Sequence, residues 1–130
     1  MATGYADLHR LVGVVETLRS PGGCPWDQKQ TTKSLKKYLQ EEFQEIFTAI
    51  DNDDHTNLCE ELGDVLYLLI MISEINREQD YFTFEDVITT ITEKLIRRHP
   101  HVFSEKQDLD DETLRKQWLK IKDQEKSRKK

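Results

Sequence analysis

The chain has 130 residues and a formal net charge of −6, with 36% hydrophobic and 34% charged residues. This length is typical of one domain and leaves no room for a second domain of full size. Because nucleic-acid backbones are bound by clustered Lys and Arg, an acidic chain of this kind is not expected to bind nucleic acid. The longest apolar run, residues 65–72, is far short of the ~20 residues that cross a bilayer, so we expect no membrane segment.

The cysteines indicate a reducing environment. Cys24 and Cys59 allow at most one disulfide, and they lack the paired spacing of zinc modules. The N-terminal residues contain no apolar h-region of a secretory signal. We therefore expect a cytoplasmic protein.

The first half of the chain predicts two amphipathic helices. Apolar residues at three- and four-residue steps place the first at about residues 5–18, before the Pro-Gly-Gly turn at 21–23. A loop follows, after which Thr31 or Thr32 is expected to cap a second helix that runs to about Ile50.

A third helix is predicted by Asn57 with Glu60 three residues later, a start of the capping-box kind, and it runs to about Asn76. Its segment from residue 58 to residue 75 is apolar on most sides, which a surface helix would not tolerate. We expect this helix at the centre of the fold or between subunits.

Two more helices complete the prediction. Residues 83–86 open a fourth helix, which Pro100 forces to end near Arg98. Asp110 is expected to cap a fifth. The pattern contains no convincing strand.

These elements predict an all-α fold, a four- to five-helix bundle with a central antiparallel helix pair, completed by oligomerisation. The short polar turn at residues 51–55 makes the second and third helices antiparallel neighbours. Subunits are expected to share a core, because large exposed apolar patches seldom persist on monomers. Residues 1–125 form a single domain in this prediction, and residues 126–130 form a basic solvated tail.

Acidic residues follow a regular pattern on the central pair. Glu42 and Glu45 share one helical face, as do Glu61 and Asp64, and the antiparallel turn sets the two pairs opposite each other. One interpretation is two ordinary solvated faces. The other is a site for Mg²⁺ or Mn²⁺, which accept hard oxygen ligands. The absence of any Lys or Arg from residue 39 to residue 76 supports the second, and from the residues alone both interpretations stay open.

Three ordered motifs resemble those of MazG-type nucleoside triphosphate pyrophosphohydrolases, a family of the all-α triphosphate pyrophosphatase superfamily. The first pairs EFQE at residues 42–45 with ELGD at residues 61–64, which is similar to the family's Glu-x-x-Glu…Glu-x-x-Asp signature. The others are GCPWDQKQT at residues 23–31 and KLIRRHPHVF at residues 94–103. The resemblance spans about residues 8–122 and implies the single-domain form of the family.

This resemblance implies a metal site. Mg²⁺, with Mn²⁺ as a substitute, would be coordinated by Glu42, Glu45, Glu61 and Asp64. Glu41 would be an additional catalytic acid that orients a water or a second ion.

The resemblance implies that basic side chains near the C-terminus of the fourth helix bind the substrate. Lys94 and Arg98 would bind the triphosphate, with Arg97 assisting, and Lys94 would also act in catalysis. Without the resemblance they would be interpreted as ordinary solvated residues at a helix C-terminus, where positive charge is favoured. Trp118 and Lys122 match a late Trp…Lys pair that contacts base or phosphates, although aromatic residues at helical spacing usually pack in a core.

Two interpretations remain for the entry loop. Trp26 and Asp27 shape the nucleotide pocket, or they pin the loop to the fold, and pinning is favoured for Trp26. For His99 and His101, a turn held by local hydrogen bonds is preferred over catalysis.

The activity implied by the resemblance is hydrolysis of (deoxy)nucleoside triphosphates to monophosphate and pyrophosphate, by water attack on the α-phosphate, in nucleotide-pool house-cleaning. A homodimer or homotetramer is implied as well. One alternative is a neighbouring activity on dUTP or phosphoribosyl-ATP. The other is a non-catalytic nucleotide-sensing helical interaction module.

Overall fold

A computed structural model describes residues 3–128, and over this range the chain is α-helical without a strand. The all-α prediction is confirmed. Seven helices follow in chain order: α1 (Thr3–Arg19), α2 (Pro25–Lys29), α3 (Lys36–Asp51), α4 (His55–Glu78), α5 (Phe84–Arg98), α6 (Pro100–Phe103) and α7 (Asp111–Arg128). The five long helices correspond to the five predicted ones. The short helices α2 and α6 stand where the sequence predicted a loop and a turn, and each begins with a proline, which is preorganised for the first helical position.

The chain divides into two compact units, one that runs to Phe84 and one that begins at Glu85. In the first unit α4 packs against α3 and α1, and α1 also contacts α2. The three-residue connection between α3 and α4 makes them antiparallel neighbours, as predicted.

The start of α4 differs from the prediction. The helix begins at His55 because the side chain of Asp54, not that of Asn57, caps it: Asp54 Oδ1 accepts the backbone N–H of Asn57 at 3.2 Å. The amide of Asn57 donates to Asp54 Oδ2 at 2.7 Å, so both side chains serve the same first turn. The capping box with Glu60 was therefore wrong.

The start of α3 is also later than predicted. Thr31 and Ser34 form a reciprocal pair, in which Thr31 Oγ1 accepts the backbone N–H of Ser34 at 3.0 Å and Ser34 Oγ accepts that of Thr31 at 2.8 Å. This pair closes a separate turn, and regular helix follows only from Lys36. Thr31 therefore caps a turn that leads into the helix.

The core lies between α1, α4 and the segment before α3. Its buried cluster consists of Val15, Leu35, Leu68, Ile70, Met71 and Ile75. Four of the six belong to the second half of α4, which confirms the central position predicted for that part of the helix.

Other positions of α4, up to Leu69, and the adjacent part of α3 expose apolar side chains instead. On each helix they recur at steps of four and three residues, so each set lies on one side of its helix. We call this set the apolar face: Phe43, Phe47, Ile50, Leu62, Leu66 and Leu69.

The second unit consists of α5, α6 and α7, and none of its helical residues that the structure describes is buried. Asp110 caps α7 as predicted, because its Oδ1 accepts the backbone N–H of Thr113 at 2.8 Å. The helix continues to Arg128, so residues 126–128 of the predicted tail are helical, although they are exposed. Residues 129 and 130 lie outside the described range. None of the described helices combines the length and apolar character needed to span a bilayer.

Candidate active site

Three glutamates converge between α3 and α4. Glu42, Glu45 and Glu61 each bring one carboxylate oxygen to within 4.8 Å of the other two. Glu42 and Glu45 are neighbours on one face of α3, and Glu61 meets them from α4. The structure therefore brings together three of the four acids that the sequence pattern set opposite each other.

Two oxygens of this cluster lack a partner. Oε2 of Glu42 and Oε2 of Glu61 are shielded from solvent, and neither has a hydrogen-bond partner among the described residues. A buried carboxylate oxygen without a partner is costly, and native structures nearly always provide one. Hard oxygen donors in this arrangement fit Mg²⁺ or Mn²⁺, which would fill that role.

The pKa values of two cluster carboxyls are raised. The pKa of Glu61 rises from 4.5 to about 8, first because of its contact with the Glu45 carboxyl and then because of its contact with Glu42. Burial is the largest cause that raises the pKa of Glu42. Its contact with Glu61 lowers that pKa, and the charges of Glu45 and Asp64 raise it again. Protonation or a cation is needed to hold these carboxyls together.

The remaining predicted acids lie around the cluster. Asp64 follows Glu61 by one helical turn and is exposed, outside the group of three oxygens, yet its charge acts on Glu42. Glu41 is exposed next to Glu42 in sequence. Both therefore stay predicted site residues.

A polar cleft of about 250 Å³ opens beside the cluster, with Glu45 and Glu61 in its wall. The sequence analysis did not predict its other lining residues as part of a site. Part of this wall could have been predicted from the sequence. Gln44, Thr48 and Asn52 lie four residues apart along α3 and its C-cap, and such residues share one face of a helix. The other lining residues are, in full, Gln44, Thr48, Ala49, Asn52, Asp54 and Asn57.

The entry-loop residues are engaged within the first unit. Trp26 packs edge-on against Tyr38, with ring centroids 5.2 Å apart, and contacts the core cluster. Asp27 is buried, and its Oδ1 accepts a short hydrogen bond from the Tyr67 hydroxyl. Burial, followed by the hydrogen bond to Asp27, raises the pKa of Tyr67. These contacts favour the pinning interpretation.

Arg19 fastens the same loop from α1. Its Nη1 donates to the backbone oxygens of Asp27 and Gln30, and its Nη2 pairs with Glu78 at 2.9 Å. Sequence reasoning missed this arginine, because its partners are a loop and a helix that follow it at separations of 8, 11 and 59 residues.

The predicted basic residues of the second unit differ in their ion pairs. Arg97 and Arg98 both pair with Glu125. Lys94 is half-buried and makes no ion pair within the part of the chain that the structure describes.

Trp118 lies beside two of these cations. Lys122 Nζ is 4.5 Å from its ring centroid, and Arg98 Cζ is 5.5 Å from it, both within the range of cation–π attraction. Trp118 is also partly exposed, so it is not the core anchor that the alternative interpretation assumed.

The two histidines around Pro100 form local hydrogen bonds. His99 Nδ1 is 2.6 Å from the backbone oxygen of Leu95, and His101 Nδ1 is 3.0 Å from the side-chain nitrogen of Gln117. This arrangement supports the preferred interpretation of a held turn.

Comparison with known proteins assigns the family. The profile of the MazG nucleotide pyrophosphohydrolase domain matches residues 30–103. These residues include the acid cluster and the Arg-Arg-His-Pro-His segment. The chain belongs to the MazG nucleotide pyrophosphohydrolase family.

Two named relatives and one solved structure are similar to the chain. The nucleoside triphosphate pyrophosphohydrolase/pyrophosphatase MazG of Thermotoga maritima is 52% identical over 92% of this chain and 46% of its own length. The nucleoside triphosphate pyrophosphohydrolase of Escherichia coli K12 is 36% identical over 94% of this chain and 47% of its own length. The crystal structure of a MazG-related protein from Thermotoga maritima superposes with a TM-score of 0.75 at 29% identity, covering 88% of this chain and 98% of that one. The chain spans about half, or less, of the length of the curated relatives it matches.

Proposed function

We propose that this chain hydrolyses nucleoside and deoxynucleoside triphosphates to the monophosphate and pyrophosphate, with Mg²⁺ as cofactor and Mn²⁺ as a substitute. Water attacks the α-phosphate and pyrophosphate leaves. The observation that carries the proposal is the convergence of Glu42, Glu45 and Glu61 within 4.8 Å, with two shielded oxygens that lack a partner. The names of the two relatives from Thermotoga maritima and Escherichia coli support the reaction.

The metal ligands in this proposal are Glu42, Glu45, Glu61 and Asp64. A divalent ion at these oxygens supplies charge neutralisation of phosphoryl groups and makes water more acidic. One carboxylate of the cluster accepts the proton that the attacking water loses, and Glu41 orients a water or a second ion. The opposition of negative charges that raises the pKa of Glu61 supports this ligand set, because a cation relieves it.

The second unit carries the proposed phosphate contacts. Lys94 and Arg98, with Arg97, stabilise the charge that builds on the leaving pyrophosphate, as cations do in phosphoryl transfer generally. The cation–π contacts around Trp118 support a role for it and Lys122 at the base or phosphates.

We propose an indirect role for the entry loop. Trp26 and Asp27 shape the nucleotide pocket by holding the loop in place. The buried hydrogen bond between Asp27 and Tyr67 supports this role, since it leaves the Asp27 side chain engaged in the fold.

The proposal includes a homodimer or homotetramer that acts in the cytoplasm, in clearing the nucleotide pool. The apolar face supports self-association, because six large apolar side chains exposed together are unusual on a monomer. Light scattering coupled to size-exclusion chromatography measures the mass of the assembly. Leu62→Asp should yield a smaller species, whereas Tyr81→Asp, at an exposed position outside the apolar face, should not. A monomeric wild-type protein would refute this part.

The reaction itself is tested with the purified chain and a panel of ribo- and deoxynucleoside triphosphates that includes dUTP and phosphoribosyl-ATP. Products are identified by anion-exchange chromatography, with and without Mg²⁺ or Mn²⁺. We expect monophosphate and pyrophosphate in equal amounts, and only when the metal is present. Release of orthophosphate instead would refute the proposed reaction. No turnover of any compound would refute catalysis and favour a non-catalytic module.

A further inference from the structure

Glu125 of α7 lies between two arginines of α5. Its Oε2 accepts a short hydrogen bond from Nε of Arg97, and its Oε1 accepts hydrogen bonds from Nε and Nη2 of Arg98 at 3.1 and 2.7 Å. The side chains of Arg98 and Glu125 are only 14% and 12% exposed. Because little water separates these charges, their attraction is stronger than that of a fully solvated pair.

The carboxylate of Glu125 uses donors that suit a phosphate equally well. A guanidinium presents its N–H groups as a planar fork, and both carboxylates and phosphates are bound by that fork. At Arg98 the two nitrogens of one side of the fork already point at Glu125. A phosphate approaching these nitrogens meets a site that is filled by a negative group of this chain.

We propose that Glu125 is a built-in counter-ion of the triphosphate-binding arginines: it occupies Arg97 and Arg98 in the substrate-free protein and lowers their affinity for the triphosphate, which displaces it. The inference rests on the assignment of these arginines to the triphosphate in the proposed function. It adds a residue that sets substrate affinity, and it assigns Glu125 a positioning role that acts through Arg97 and Arg98.

The direction of the effect follows from charge. If the phosphate displaces Glu125, the binding free energy is reduced by the loss of two ion pairs. If the phosphate binds beside Glu125, the two negative groups repel each other. Affinity is lowered in both cases. Arg98 and Arg97 hold the pKa of Glu125 down to about 2, so the competing charge is present throughout the neutral range.

The test measures binding of inorganic tripolyphosphate by isothermal titration calorimetry in the absence of divalent ions, so that hydrolysis does not enter. Glu125→Gln keeps the size and one acceptor oxygen of the side chain but removes its charge, and Glu125→Ala removes both. We expect each variant to bind about fivefold more tightly than the wild type, a change on the scale of partly exposed ion pairs. The matched control is Glu112→Gln on the same helix, which breaks the exposed pair with Lys116 at 3.4 Å and should not change affinity.

A second readout separates this role from a merely structural one. Without ligand, Glu125→Gln should lower the thermal midpoint, because two ion pairs are lost. With tripolyphosphate, the same variant should show the larger upward shift of that midpoint. In nucleotide kinetics its KM should fall about fivefold while kcat stays constant or decreases. A structural role alone would weaken both stability and binding.

Three results would overturn the inference. They are unchanged or weaker tripolyphosphate binding by Glu125→Gln, tighter binding by the Gln variant but weaker binding by the Ala variant, and wild-type affinity in Arg98→Ala, which would show that the phosphates bind elsewhere. If the wild type hydrolyses no nucleotide, the proposed function fails, whereas the titration still decides whether Glu125 competes with phosphate. If hydrolysis proceeds and Glu125→Gln binds as the wild type does, only the inference fails.

Discussion

Glu61 in the first unit and Glu125 in the second are the same side chain in opposite electrostatic settings. Glu61 faces the carboxyls of Glu45 and Glu42, which raise its pKa to about 8. Glu125 faces Arg98 and Arg97, which lower its pKa to about 2. Neighbouring charge, rather than the residue type, decides whether the negative charge of a carboxylate in this protein is destabilised or stabilised.

The difference has a basis in the order of the chain. No Lys or Arg occurs from residue 39 to residue 76, so this stretch supplies no positive side chain to the acid cluster. Helix α7 packs its acid onto the two arginines that end α5. The first arrangement needs a proton or a bound cation to relieve its repulsion, whereas the second is balanced by the two arginines.

The largest expected effect is on turnover at the acid cluster. Glu61→Gln or Glu42→Gln removes a proposed metal ligand but little packing, so turnover should fall by roughly a hundredfold or more while the circular dichroism spectrum is unchanged. Pyrophosphate release under saturating Mg²⁺ measures this. Glu60→Gln, beside Glu61 but outside the cluster, should retain activity. Full activity in the Glu61 variant would exclude the acid cluster as the catalytic site.

A smaller loss is expected at Lys94. Lys94→Met keeps most of the apolar stem and removes a charge that no ion pair within the described residues occupies, so kcat/KM should fall about tenfold. Steady-state kinetics over a range of substrate concentrations separate kcat from KM. Lys116→Met, at an exposed lysine of α7, is the matched control substitution and should leave kcat and KM unchanged. Equal kinetics of both variants and the wild type would exclude Lys94 from the reaction.

Metal binding should raise the stability of the wild-type protein. An ion at ten times its Kd should raise the thermal midpoint by about 5 °C, because it relieves the repulsion in the folded state only. Glu61→Gln should respond much less, and differential scanning fluorimetry with Mg²⁺ and with Mn²⁺ measures the shift. An equal shift in both proteins would show that the ion binds elsewhere.

The stability of the metal-free protein should depend on pH through Glu61. Its pKa in the folded protein, about 8, lies above the reference value of 4.5. The folded state therefore holds this proton more tightly than the unfolded state. Its contribution to stability is complete below about pH 4.5 and is lost as the pH rises to about 8. Scanning calorimetry should show that loss in the wild type and a flatter profile in Glu61→Gln. The same profile in both would contradict the raised pKa.

The smallest effect, with the opposite sign, is expected at Glu125. Its pKa is lowered to about 2, so its ion pairs stabilise the fold above about pH 4.5 and are lost as the pH falls through about 2. Glu125→Gln should therefore be slightly less stable than the wild type at neutral pH, with a difference that disappears in acid. The Glu112→Gln variant should match the wild type at every pH. A Glu125 variant that gains stability at neutral pH would show that the ion pairs of Glu125 do not stabilise the fold.

The sequence predicted the five long helices because each carries apolar residues at helical spacing, a property of a single segment. It missed α2 and α6, and it started α4 from Asn57, because short helices and caps depend on competition between adjacent polar side chains. At α4 the side chain of Asp54 wins that competition. The spacing of EFQE and ELGD predicted the acid cluster, since a short turn between two helices leaves little freedom in how their faces meet.

The sequence by itself determined the helical class and the convergence of Glu42, Glu45 and Glu61, because helical periodicity and one short turn encode them. It indicated the family through the resemblance of its three motifs. Only the tertiary structure decided that Asp27 bonds to Tyr67 and that Glu125 pairs with Arg97 and Arg98. These partners lie 40 and about 27 residues apart, and no local pattern specifies such separations. Packing of whole helices brings them together.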